Sequence, residues 1–136
     1  MLKKTITYTD YNGDEVKEDF RFNLTQAEVA KLEITTPGGL EKYIEKISSE
    51  RNGKLIMEVF ENIILGAYGE VSLDGKRFIK IDENGKRLSD KFFQTEAYSV
   101  LFMELITDSD KAADFIKGVL PKTQNPNGTI PMPANA

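Results

Sequence analysis

The sequence contains neither cysteine nor histidine, so any acid–base or nucleophilic chemistry near neutral pH falls to carboxylates, lysines and tyrosines. A thiolate nucleophile, a disulfide and a thiolate metal site are thereby excluded, and the usual general base and commonest zinc ligand are missing. Glu58 and Glu61 lie three apart in a segment that reads as helix, close enough to share a face and to raise one another's pKa if buried. No nucleophile or cofactor motif accompanies them, and the simpler reading makes them the solvated edge of an otherwise apolar helix. Asn62, between Glu61 and Ile63, is expected to serve a backbone group in the core. Asp10, Asn12 and Asp14 alternate as at the start of an EF-hand loop. The sixth loop position is Glu15 where glycine is needed, however, and the twelfth is Arg21 where a bidentate glutamate is needed. Neither a GxxxxGK[ST] nor a strand-to-helix GxGxxG pattern occurs, so no phosphate-binding loop is expected. These residues predict a protein that is not an enzyme and holds no cofactor or metal.

Charge points the same way. Eighteen Lys and Arg against 22 Asp and Glu give a net charge of −4, with the two signs interleaved. Neither nucleic acid nor an anionic membrane is an expected partner. At 136 residues, 40% hydrophobic and 29% charged, the chain fits one globular domain. Met1-Leu2-Lys3-Lys4-Thr5 has no apolar run behind its lysines, so the expectation is a protein that stays where it is made.

The element that must organise everything else is residues 54–69, KLIMEVFENIILGAYG. Its apolar residues leave only a thin polar stripe at Glu58, Glu61 and Asn62, so it reads as the central, buried helix of a core. It is too short and too acidic to span a bilayer. Asn52 is placed to cap its start and Gly69 to end it in the left-handed conformation. Expected to be largely buried are Ile56, Phe60, Ile63 and Ile64.

Residues 2–24 predict a β-hairpin turning at Asn12-Gly13. Parity selects its loop. A two-residue loop would put the apolar residues of the two strands on opposite faces. A three-residue loop, Tyr11-Asn12-Gly13 with Gly13 in the αL bulge position, pairs Tyr8 with Val16 and Leu2 with Phe22 and makes one apolar face. Thr25 and Glu28 then form a capping box, with Leu24 and Val29 at the staple positions. A second helix is expected over residues 38–47, with Leu40, Tyr43, Ile44 and Ile47 in one stripe. Residues 70–81 read as a small hairpin or ordered loop turning at Asp74-Gly75. A long helix over 89–106 presents Phe92, Phe93, Ala97, Tyr98, Leu101, Phe102, Leu105 and Ile106, and a last helix capped by Asp108 or Asp110 is stopped by Pro121. The predicted fold is α+β: an N-terminal β-hairpin packed on about five mostly short helices around a central one. Residues 1–120 form the domain and 121–136, which hold four of the five prolines, a flexible tail.

Several segments in order, FNLTQAEVAKLE (22–33), GGLEKYIEKI (38–47), AYGEVSLDGKRFIK (67–80), FQTEAYSVLFMELITD (93–108) and FIKGVLP (115–121), resemble the tail assembly chaperones of long-tailed bacteriophages. What the resemblance implies is a non-catalytic protein of the host cell cytoplasm that keeps the tape measure protein soluble while tail tube protein subunits polymerise around it. It also implies a family that often has a longer, frameshifted form and is usually absent from the finished virion. A structural tail or connector protein is the alternative. A holding chaperone needs exposed apolar or edge-strand surface. The partner-binding residues expected here are therefore Lys3, Thr5, Thr7 and Thr9 along one hairpin strand, where a partner strand or another copy of the protein can add. Ile130 and Met132 are expected as short apolar anchors in the tail.

Overall fold

The computed structural model describes residues 1–35 and 53–121, without the side chains of residues 35, 54 and 55. The predicted helix over 38–47, the Asn52 cap, and Ile130 and Met132 lie outside the described residues. Strands β1 (Leu2–Thr9) and β2 (Glu15–Phe22) form the hairpin and are followed by α1 (Gln26–Thr35) and α2 (Gly53–Ala67). Then come β3 (Tyr68–Val71), β4 (Phe78–Ile79), α3 (Leu88–Phe93), α4 (Glu96–Thr107) and α5 (Ser109–Val119). The class is α+β, and the hairpin is extended into a four-stranded antiparallel sheet in the order β1-β2-β3-β4.

The hairpin adopts the register that parity selects, with Leu2 opposite Phe22 and Tyr8 opposite Val16. Gly13 has φ +87°, and its N–H donates to Asp10 O at 3.0 Å. Even-numbered residues face inward: Ile6, Phe20 and Phe22 are buried in the core, and Leu2 and Tyr8 pack against it. Odd-numbered residues face solvent. Phe22, fully buried, meets Tyr68, Phe92 and Phe115 edge-on at ring-centroid distances of 5.2–5.8 Å.

The capping box forms as read. Glu28 N–H donates to Thr25 Oγ1 at 3.1 Å and Thr25 N–H to Glu28 Oε1 at 2.9 Å, with Leu24 and Val29 buried beneath. On α2, Val59, Phe60, Ile64 and Ala67 are buried and Ile56 and Ile63 partly so, while Met57 is 48% exposed. The helix therefore buries one face where wrapping on most sides was expected.

Two boundaries differ from expectation. Gly69 does not end a helix in the left-handed region: α2 runs straight into β3, where Gly69 pairs with Arg21. A Cβ there would meet Phe78 Cε2 at 2.6 Å and Ile79 O at 2.7 Å, so close packing by β4 is what requires glycine. The helix expected over 89–106 is two helices. Thr95 has extended backbone, its hydroxyl accepts from Tyr98 N–H at 3.2 Å to start α4, and it donates to Phe92 O at 2.7 Å to close α3. Asp108 caps α5, its carboxylate accepting from the N–H groups of Asp110 and Lys111.

Candidate partner-binding surface

An antiparallel strand presents its N–H and C=O groups alternately to its two neighbours. Asp10 N–H donates to Asp14 O at 2.9 Å, which fixes the phase: even residues of β1 bond to β2, and Lys3, Thr5, Thr7 and Thr9 point their backbone groups the other way. No strand pairs with that side among the described residues. The four residues expected to bind partners thus share two properties. Their side chains are exposed on the outer face, and their amides and carbonyls line an open edge eight residues long.

A second open edge lies on β2, which sequence reasoning missed. β3 pairs only with Arg21 and Phe22, so the backbone of Glu15, Lys17 and Asp19 also faces outward beyond the paired part of β3. Among the described residues the distal part of the hairpin is therefore a two-stranded arm with no strand paired to either outer edge. Only the length of β3 reveals this, and the irregular apolar alternation over 70–81 carried no such signal.

Charges hold the arm in place. Lys4, the one cation on the inner face of β1, reaches Glu104 on α4 at 2.7 Å, and Lys111 of α5 approaches the same carboxylate at 3.7 Å. Tyr8 donates to Glu18 across the hairpin at 2.7 Å, and that bond to a carboxylate pushes its phenol pKa up to about 12. At the base, Lys80 ties three elements together. Its ammonium donates to Asn23 O at 2.8 Å, to Gly66 O near the end of α2 at 2.9 Å and to Glu28 Oε2 of the capping box at 2.7 Å. Burial alone would push the Glu28 carboxyl up; the bonds from Lys80 and the Thr25 amide outweigh it and hold the carboxyl below its ordinary value. These contacts fix the angle at which the arm leaves the core.

The residues weighed for chemistry are not brought together. Glu58 is exposed and Glu61 partly so, on the rim of α2. The Asp10 carboxylate accepts from the N–H groups of Asn12 and Asp14, both at 2.9 Å, and so closes the turn. Among the described residues no group of three or more metal-ligating side chains occurs. An open depression of about 420 Å³ over residues 77–81 is lined by Arg77, Phe78, Ile79, Lys80 and Ile81, without a carboxylate or hydroxyl. No helix among the described residues is long and apolar enough to cross a membrane.

A small α+β body with long open strand edges, and with its carboxylates apart, has the features of a protein that works by contact. The family comparison gives that class a name: the chain belongs to the phage tail assembly chaperone family, whose model matches residues 1–126. No curated protein matches the chain, and no solved structure matches it.

Proposed function

We propose that this protein is a non-catalytic chaperone of the host cell cytoplasm that binds the tape measure protein and keeps it soluble while tail tube protein subunits assemble around it. Family membership over residues 1–126 carries the reading. The open edge of β1, with Lys3, Thr5, Thr7 and Thr9, supplies a surface of the right kind, since a strand edge gives main-chain hydrogen bonds to an extended segment of any sequence. Ile130 and Met132 are proposed as additional anchors. Interleaved charge and a net −4 keep such a holder soluble.

The test is co-expression with a tape measure fragment that is insoluble alone, followed by pull-down from infected cells. The expected result is a soluble complex containing the fragment, with the chaperone missing from purified particles by mass spectrometry. Recovery in the virion at stoichiometric amounts would favour a structural tail or connector protein. A chain with no affinity for any tail protein would end the chaperone reading.

A further inference from the structure

We infer that the open edge of β1 is a self-association site, at which a second copy of this chain pairs antiparallel and makes one continuous eight-stranded sheet. The inference rests on the β1 edge being a partner surface, but it names a different occupant from the tape measure protein, and either can fail alone.

The edge is self-complementary in one register. Since Lys3, Thr5, Thr7 and Thr9 carry the outward backbone groups, a symmetric antiparallel pair must place odd residues opposite odd residues. Three central registers satisfy this: Thr5 opposite Thr5, Thr5 opposite Thr7, or Thr7 opposite Thr7. The exposed charges on β2, one strand further in, separate them. With Thr5 opposite Thr5, Lys3 of one copy lies in the row of Thr7 and Lys17 of the other, cation toward cation across one threonine. With Thr7 opposite Thr7, Asp19 lies in the row of Thr9 and Glu15, carboxylate toward carboxylate.

With Thr5 opposite Thr7, each row carries opposite signs on its two copies. Arg21 and Lys3 of one copy face Thr9 and Glu15 of the other, and Asp19 and Thr5 face Thr7 and Lys17. The same register uses all four outward residues of each strand and lays Ile6 beside Ile6 on the inner face. Threonine pairs at the centre suit a sheet, and opposite charges toward the ends favour this register over the slipped alternatives. A two-fold axis normal to the sheet keeps both helical layers on the same side.

The test uses the full chain, which has no cysteine of its own. Thr5→Cys protein is mixed with Thr7→Cys protein and oxidised with copper phenanthroline. A hydrogen-bonded antiparallel pair spaces Cα atoms about 5.5 Å apart, within disulfide reach. The expected product is the mixed 5–7 dimer in several-fold excess over either homodimer. A dominant 5–5 or 7–7 product, or no crosslink above that of a Thr107→Cys control on α4, overturns the proposed register.

Sedimentation at rising concentration supplies the second arm. Thr7→Pro removes an outward amide and no bond to β2, so it should raise the dimer dissociation constant at least about tenfold with the melting temperature retained. Lys3→Glu should weaken the dimer and Glu15→Lys in the same chain restore it. A wild-type chain that stays monomeric at high concentration overturns the proposal. If that monomer still binds a tape measure fragment, and Thr7→Pro abolishes the binding, the edge belongs to the tape measure protein. If neither association occurs, the functional reading falls with it.

Discussion

The base of the hairpin and its distal arm are made of the same two strands and obey opposite rules. At the base, β2 lies between β1 and β3, and Phe22 is shut into a cluster with Tyr68, Phe92 and Phe115. Along the arm, among the described residues, β2 has a neighbour on one side only, Lys17 and Asp19 are exposed, and Tyr8 meets the Phe20 ring at 6.4 Å while its hydroxyl donates to Glu18, whereas Phe22 is enclosed by rings. At the base β2 is paired on both edges, whereas the arm packs its inner face, Ile6 and Tyr8, on the core and leaves its backbone edges unpaired among the described residues. The lesson is that one strand pair can be fixed rigidly at one end to offer unsatisfied backbone at the other, where a partner gains the hydrogen bonds that the fold does not use.

If that division is right, substitutions at the base should be the most damaging. Phe22→Ala removes a fully buried ring from the meeting point of the sheet, α3 and α5, and should cost about 3–5 kcal/mol, enough to unfold much of the protein at 37 °C. Phe60→Ala on α2 should act similarly. Chemical denaturation monitored by circular dichroism measures both, and a well-folded Phe22→Ala chain would show that the core centre lies elsewhere.

Gly69→Ala is smaller in volume but meets a rigid neighbour. Its Cβ must displace the Phe78 ring or the Ile79 carbonyl, an overpacking expected to cost about 1–3 kcal/mol. The measurement that matters is the pair with Phe78→Leu. If the ring is the obstacle, the second change should recover part of the loss.

This glycine also shows what a sequence can and cannot reveal. The hairpin register was readable because alternation and an Asn-Gly turn lie within about twenty residues and constrain one another. The capping box was readable for the same local reason, and the cap of α5 was narrowed to Asp108 or Asp110, of which Asp108 serves. Gly69 was read as a helix end because its true constraint, Phe78, arrives from a strand that the irregular alternation over 70–81 left undefined. Thr95 could have been recognised as a cap, but the apolar stripe on either side of it is continuous enough to read as one helix. Lys80 was out of reach altogether, since Asn23 and Glu28 lie more than fifty residues away in sequence. Of the candidate surface, Lys3, Thr5, Thr7 and Thr9 were legible through parity; the β2 edge depended on how far β3 extends.

Acid should loosen the joint between base and core next. Glu28 has a folded pKa held below its ordinary value of 4.5, so its contribution is present above that pH and is lost as pH falls through the lowered value. Its side chain is 38% exposed and so partly screened, which limits the effect to roughly a degree or two of melting temperature. Glu28→Gln should melt lower than wild type at pH 7 and converge with it as pH falls through the lowered Glu28 pKa. Equal acid sensitivity in the two proteins would mean that the Lys80 bond contributes nothing to this joint.

The smallest effect is expected from the proline-rich residues 122–136. The last core residue of α5 is Val119, buried, with its carbonyl accepting from Leu24 N–H at 2.9 Å, and Leu120 N–H closes the helix on Ile116 O. Among the described residues, the hydrogen bond that fastens α5 to the chain leaving β2 is made before Pro121. Prolines 121, 126, 131 and 133 disfavour helix beyond that point, and residues 122–136 carry no periodic apolar stripe. Deleting residues 122–136 should shift the melting temperature by no more than about a degree. A loss of several degrees would extend the domain past Pro121 and merge tail with base. The family match reaches residue 126, so truncations after 121 and after 126 should be compared for tape measure binding. If the longer form binds as wild type and the shorter does not, the anchor lies in residues 122–126 and Ile130 and Met132 are dispensable. If both lose binding at unchanged stability, Ile130→Ala and Met132→Ala are the substitutions that locate it.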